Sequence, residues 1–224
     1  MKILVTGSDG SLGSYLENVL VSYGHTVIGI SMDLINYSKY DKIESIIKSE
    51  GDFDQIYNVH GINHLSHIGS QMESLDYKIM DVNVNAYYNI INLVFKHQSD
   101  YYTKVLNVAS QTYRVAQRKS ALYCASKAAV VQLTKVIARE LAPSNWVVNC
   151  IAPGMIEGTL MSKMTNNQVL ELRGWDKESA EEYAKSMIPM GRFTDLEEVV
   201  EAMVRIMELP DYINGSCIDM TGGI

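Results

Sequence analysis

The 224-residue chain has no proline-, glycine- or serine-rich stretch and no block of like charge that reads as a linker, which favours one domain over two. Cysteine is scarce: Cys124, Cys150 and Cys217 lie far apart, without a CxxC pair or a Cys/His cluster. An odd, scattered set argues against a disulfide framework and a zinc site, and the three read as buried thiols. His60, His64 and His67 are close in sequence but have neither cysteine partners nor an HExxH setting, so no metal is expected. A lysine/arginine stripe with interleaved aromatics is also missing, and with a net charge of −7 this argues against nucleic acid as a partner. No apolar segment precedes a cleavage site, and none reads as long enough to span a bilayer. The expectation is a cytoplasmic protein with no membrane partner.

What is present is the composition of an ordinary globular protein, 47% apolar and 20% charged. Ile3-Leu4-Val5 is a short apolar run ending at Thr6-Gly7, after which Leu12, Leu16, Val19 and Leu20 recur at helical spacing as far as Gly24. The stretches from Thr26 to Ile30 and from Gln55 to Val59 read as strands, with a helix between them marked by Ile43, Ile46 and Ile47. A broad apolar helical face runs from Met80 to Phe95, and a strand from Lys104 to Ala109 leads into Ser110-Gln111-Thr112. A helix from Ala121 to Leu141 is stopped by Pro143, and a strand from Trp146 to Ile151 is stopped by Pro153-Gly154. A helical piece around Glu178 to Met187, an amphipathic helix from Leu196 to Leu209 and a strand from Ser216 to Met220 complete the pattern. Strands without polar alternation, separated by helices, predict an α/β fold: a doubly wound, Rossmann-like parallel sheet covered on both faces.

Two local patterns carry chemistry. The segment from Thr6 to Gly13 leaves a strand and opens a helix, and Gly7, Gly10 and Gly13, with Asp9, Ser11 and Leu12 among them, permit a tight turn. Such a turn lets backbone approach a pyrophosphate, whose charge meets the helix amides, although turns of this kind also occur without a ligand. Tyr123 and Lys127 stand four apart on a helix and share a face, so the ammonium favours phenolate and draws the tyrosine pKa down. Taken alone, that spacing is equally that of a surface pair.

The order of the motifs says more than any one of them. Val105-Leu106-Asn107-Val108-Ala109-Ser110, followed by Tyr123-Cys124-Ala125-Ser126-Lys127, is accompanied by Asn83 in Asp81-Val82-Asn83-Val84-Asn85 and by Asn58-Val59-His60-Gly61. Together with Asn149 to Gly154, Ile188 to Phe193 and Thr221-Gly222-Gly223, the set resembles the short-chain dehydrogenase/reductase family over almost the whole chain. The resemblance implies an NAD(P)-dependent oxidoreductase that moves a hydride between nicotinamide and a small carbonyl or hydroxyl substrate. It implies Tyr123 as acid/base, Lys127 as the group that lowers the Tyr123 pKa and holds the nicotinamide ribose, and Ser110 as orienter of the substrate oxygen. Asn83 supports a water-linked proton path to Lys127. The cofactor is placed against the glycine turn, against Asn58, His60 and Gly61, and against Pro153, Gly154 and Ile156.

Departures from the family pattern add further expectations. The glycine spacing is that of the longer, nucleotide-sugar-modifying branch, while length and C-terminal landmarks fit the short one. An epimerase or dehydratase using transient hydride transfer is therefore the alternative enzyme, and a dinucleotide-sensing module the non-enzymatic alternative. Asp33-Leu34, which resembles the family's adenine-contacting pair, follows Ser31-Met32 directly, so a strand-helix unit is missing and the sheet has six strands or seven. With Ser31 at the strand end, Asp9 in the turn and no basic residue beside either, NAD is favoured over NADP. His60 replaces the usual alanine, either as a packed imidazole or as a contact to cofactor or substrate, and Thr159 is displaced by Gly158 and is not relied on. Residues 155–190 are expected to form a substrate lid, with Met155, Met161, Met164, Leu172, Trp175 and Tyr183 as apolar lining. Arg114, Arg118 and Lys119 imply an anionic substrate if one of them turns inward. The two most apolar helices correspond to those that pair relatives into a homodimer or homotetramer.

Overall fold

A computed structural model describes residues 1–36, 39–98, 100–163, 167, 170, 174 and 176–224. Six strands, β1 (Lys2–Thr6), β2 (Thr26–Ile30), β3 (Gln55–Asn58), β4 (Thr103–Val108), β5 (Trp146–Pro153) and β6 (Cys217–Met220), form one sheet in the order β2-β1-β3-β4-β5-β6. Every pairing is parallel. The helices are α1 (Ser11–Ser22), α2 (Met32–Asn36), α3 (Tyr40–Glu50), α4 (Ser74–Met80), α5 (Ala86–Gln98), α6 (Ala121–Leu141), α7 (Lys177–Ser186) and α8 (Leu196–Glu208).

Alternate strand residues face opposite sides of the sheet, and both sides are apolar. Leu4, Ile56, Val105 and Val148 pack with Ile43, Ile47, Ile90 and Val94 of α3 and α5. Their neighbours Ile3, Val5, Tyr57, Leu106 and Ile151 pack with Leu16 and Leu20 of α1 and Val199 and Met203 of α8. This is the physical reason the strands lack polar alternation. The strand count resolves at six, because the chain passes from β2 through α2 and α3 to β3 with no strand between them among the described residues. The chain runs from β1 through α1 to β2 on one side and from β3 to β4 on the other, so the connections leave the C-terminal ends of β1 and β3 in opposite directions and open a crevice between them.

Two features depart from the sequence reading. The helix expected from Met80 onward contains a π-helical turn, Asp81–Asn85, between α4 and α5. Wide turns of this kind often mark functional sites. Residues Ala121–Ser144 also form a helical stretch long and apolar enough to cross a membrane by length and composition, with a mean hydropathy of 1.2. Here that stretch packs on the sheet, burying Val130, Thr134 and Ile137.

Inside the sheet a polar chain links four elements. Thr6 Oγ1 donates to Asn58 Oδ1 at 3.3 Å, Asn58 Nδ2 to Asn107 Oδ1 at 2.9 Å, and Asn107 Nδ2 to Thr134 Oγ1 at 3.0 Å. All four side chains are fully buried, so each depends on the others for its partners. Asn58→Ala is expected to lower the unfolding free energy by about 1–3 kcal/mol, read from urea denaturation. A loss below about 0.5 kcal/mol would mean that the chain is dispensable.

Candidate active site

A cleft of about 560 Å³ opens at the C-terminal ends of the central strands. One end is the glycine turn, where Gly7, Asp9, Gly10, Ser11, Leu12 and Gly13 all line the wall. Gly10 precedes α1 with no side-chain cap, and no acidic residue occupies the first helical turn. The first amides and the positive end of the helix dipole are thus left for an anion. A Cβ on Gly7 would stand 2.8 Å from the His60 Cα, and one on Gly13 only 2.1 Å from the Gly7 oxygen. Backbone alone forms this cradle, which fits the pyrophosphate of a dinucleotide. Across the cleft the Leu160 amide donates to Ser11 Oγ at 3.1 Å, tying the segment after Gly158 to the turn.

The other end is walled by His60, Gly61, Ser110, Tyr123, Lys127, Pro153, Gly154 and Ile156. Tyr123 and Lys127 lie in the first turns of α6 and are 7% and 3% exposed. Asn83, in the π turn, does not line the cleft but stands directly behind it. Its Oδ1 accepts from the Ile62 amide at 2.8 Å, and its Nδ2 donates to the Ile62 carbonyl at 2.9 Å and to Ser126 Oγ at 3.0 Å. Ser126 Oγ in turn donates to the Tyr123 carbonyl at 2.7 Å. Both Nδ2 protons are used, so the Asn83 side chain is a clamp between the loop after β3 and the turn that carries Tyr123 and Lys127.

The expected lowering of the Tyr123 pKa by Lys127 is not found. Burial pushes the Tyr123 hydroxyl up to about 12, only partly offset by a hydrogen bond with Ser110. Burial also draws the Lys127 ammonium down to about 7. The reason is geometric: Lys127 Nζ donates to the Val108 carbonyl at 2.8 Å and lies 5.8 Å from the centre of the Tyr123 ring. The Tyr123 hydroxyl meets the Met161 thioether at 3.9 Å. Two groups out of water each disfavour their charged form, and no direct contact outweighs that penalty.

Several expected contacts require correction. Asn58 faces the interior of the sheet and does not reach the cleft. Ser31, Asp33 and Leu34 are also off its wall, where Met32 stands instead. Because α2 begins directly after β2, Leu34 turns into the core while Asp33 points outward, bonded to Ser31 Oγ and paired with Lys39 at 3.6 Å. Arg114 pairs with Asp219 at 3.3 Å and donates to the Ile224 carbonyl, and neither Arg118 nor Lys119 lines the cleft. Thr159, set aside on spacing, does line it. Met155 and Met161 of the expected lid line it too, Tyr183 does not, and Met164, Leu172 and Trp175 lie outside the described residues.

His60 turns out to be packed and also part of the wall. Its Nδ1 is 2.6 Å from Thr6 Oγ1 and its ring lies 4.3 Å from that of Tyr87. Burial, reinforced by Lys127, pushes its pKa down to about 3 and keeps the imidazole neutral. Tyr87 and Ser126 are the buried neighbours that sequence reasoning missed. Ser126 was legible inside the Tyr123–Lys127 motif, whereas Tyr87 sits in a run of large residues that marks only a core helix.

With this geometry in view, comparison with known proteins is direct. The family model described as enoyl-(acyl carrier protein) reductase matches residues 1–224. The 3-oxoacyl-(acyl-carrier-protein) reductase of Thermotoga maritima is 29% identical, over 99% of this chain and 96% of its own length. The corresponding reductase of Aquifex aeolicus is 27% identical, over 99% and 86%. Among solved structures, the aldohexose dehydrogenase of Thermoplasma acidophilum superposes with a TM-score of 0.85 at 25% identity, covering 99% of this chain and 92% of that one. A short-chain dehydrogenase family protein from Francisella tularensis reaches 0.89 at 22%, covering 99% and 97%, and shares the fold. The chain belongs to the short-chain dehydrogenase/reductase family. It is an oxidoreductase acting between CH–OH and carbonyl groups.

Lys127 gives a pH-dependent stability. Between about 7 and its ordinary value of 10.5, the unfolded chain holds a proton that the folded chain lacks, so stability rises with pH across that window. Lys127→Met removes the buried charge and is expected to raise the unfolding free energy at pH 6 by roughly 2–4 kcal/mol. The gain should vanish near the top of the window in denaturation curves. An equal gain at both ends would contradict the buried-ammonium account.

Proposed function

We propose that this protein interconverts an uncharged alcohol and its carbonyl compound, using NAD and a Tyr123-centred proton transfer. The observation that carries this reading is the meeting of the Ser110 and Tyr123 hydroxyls on one cleft wall, with Lys127 beside them and the backbone cradle at the far end. The dinucleotide would supply or take the hydride at its nicotinamide ring. Tyr123 gives or takes the proton on the substrate oxygen, and Ser110 orients that oxygen as a second donor. Lys127, on leaving Val108, would hold the nicotinamide ribose and bring positive charge toward Tyr123. Asn83 keeps the Tyr123–Lys127 turn in place. Gly7, Gly10, Ser11, Leu12 and Gly13 would hold the pyrophosphate, and His60, Gly61, Pro153, Gly154 and Ile156 would flank the nicotinamide half.

The uncharged substrate follows from the lining. Among the described residues on the wall, Asp9 is the only carboxylate and Lys127 the only amine, and both stand where the cofactor would lie. Gln111 and Thr112 line the cleft, and their buried Oε1 and Oγ1 have no partner among the described residues, so a rotation of either side chain would offer a substrate hydroxyl an acceptor. A small polyhydroxy compound or hydroxyketone matches both facts. Residues 155–190 serve as the lid of a single catalytic domain, closing with Met155 and Met161 toward the substrate. Exposed Tyr77, Met80 and Tyr88 on α4 and α5 and Val136 on α6 support a homodimer or homotetramer, and the free thiols suit the cytoplasm.

Tyr123→Phe is expected to lower kcat by about 10²–10⁴-fold, while NAD affinity stays within about threefold of the parent. Parent-like turnover would remove the assigned role. The cofactor preference has its own measurement. Asp9 lines the cleft with its carboxylate bound to the Met32 amide at 2.7 Å, and it opposes a 2′-phosphate. NAD should bind at least about tenfold more tightly than NADP, and Met32→Arg should narrow or reverse that ratio in fluorescence titrations. NADP binding as tight as NAD in the parent would overturn the preference.

A further inference from the structure

The carbonyl of Val108, the last residue of β4, accepts two hydrogen bonds at once. Lys127 Nζ donates to it at 2.8 Å and the Tyr87 hydroxyl at 3.1 Å. The same hydroxyl lies 2.8 Å from the His60 carbonyl. A phenol has one proton, so the Tyr87 hydroxyl is shared between two acceptors and is able to favour either. Burial holds the Tyr87 pKa well above its ordinary value, so it remains a neutral donor. Its ring is held in place: it packs at a tilt against His60, which is tied to Thr6, and the Lys127 nitrogen lies 5.6 Å from its centre.

Lys127 in this arrangement is parked. Its ammonium is anchored on Val108, while work on a cofactor ribose or on Tyr123 requires it to reach into the cleft. Leaving would strip a donor from a buried carbonyl, and an unmade buried hydrogen bond is costly. We infer that Tyr87 is a positioning residue for Lys127: its hydroxyl takes over the Val108 carbonyl when the ammonium swings into the cleft. The lysine then alternates between an anchored and a reaching position without stripping Val108 bare, because the single phenolic proton is shared between the Val108 and His60 carbonyls. The inference rests on the reading that Lys127 holds the dinucleotide, and it extends that reading to a residue outside the wall.

Tyr87→Phe keeps the ring and its packing and removes only the alternative donor. Isothermal titration with NAD and with AMP, which lacks the nicotinamide half, separates a local effect from a general one. NAD affinity is expected to fall by about 3–10-fold, with AMP affinity within about twofold and no further loss when Tyr87→Phe is added to Lys127→Met. Equal losses for NAD and AMP, or a full Tyr87→Phe effect in the Lys127→Met background, would show a merely structural role and overturn the inference. Unchanged NAD binding in Tyr87→Phe, where Lys127→Met alone weakens it, overturns the inference but leaves the cofactor reading intact. Unchanged NAD binding in Lys127→Met removes the cofactor reading beneath it. If Tyr87→Phe does not fold, 3-fluorotyrosine at position 87 alone supplies a stronger donor of the same shape. It should tighten NAD binding, and weaker or equal binding counts against the proposal.

Discussion

Taking an ammonium out of water is among the costlier things a fold can do, and Lys127 is buried with a strand-end carbonyl as its acceptor. That acceptor is available because the pairing with β3 ends at Asn58 and Asn107, one residue before Val108, while the register with β5 continues to Ile151. The lysine reaches it only because α6 packs against the sheet in one register, buried through Val130, Thr134 and Ile137. Asn83 and Ser126 then lock the first turns of that helix to the loop after β3. The site is thus a consequence of one buried charge and of the elements that must converge to satisfy it.

The two ends of the cleft use opposite strategies for charge. At the glycine turn no side chain is offered, and uncapped amides face the crevice between the C-terminal ends of β1 and β3. At the other end the charge belongs to a side chain but is withheld, since burial holds Lys127 near neutrality and Tyr123 well above it. A phenol and an amine poised in this way have little charge to lose to solvent before the cofactor arrives. The change that activates them is one of position and surroundings, so the carbonyl that frees the lysine matters as much as the tyrosine.

Much of this was legible in the sequence for a local reason. Apolar periods of the strands and helices, the glycine triplet after the first strand and the four-residue step from Tyr123 to Lys127 are short-range patterns, and they reappear as local elements except where the π turn interrupts the helix after Met80. The missing strand-helix unit after Ser31 was visible as a shortened interval that left six strands or seven, and the sheet has six. Asn58, Asp33 and Leu34 were misplaced because a motif reports sequence position, whereas the start of α2 and the sheet interior decide where those side chains point. Tyr87 gave no signal, since its role depends on a carbonyl 21 residues away.

By itself, then, the chain's order of residues determined the alternation of strand and helix, the parallel sheet and the set of side chains available for chemistry, because these follow from periodicity and turn geometry within a few residues. Only the tertiary structure decided which of those side chains meet, which are charged and which stand outside the cleft. Burial and hydrogen-bond partnership are properties of segments brought together from across the chain. No local pattern states whether an ammonium rests on a strand end or beside a phenol.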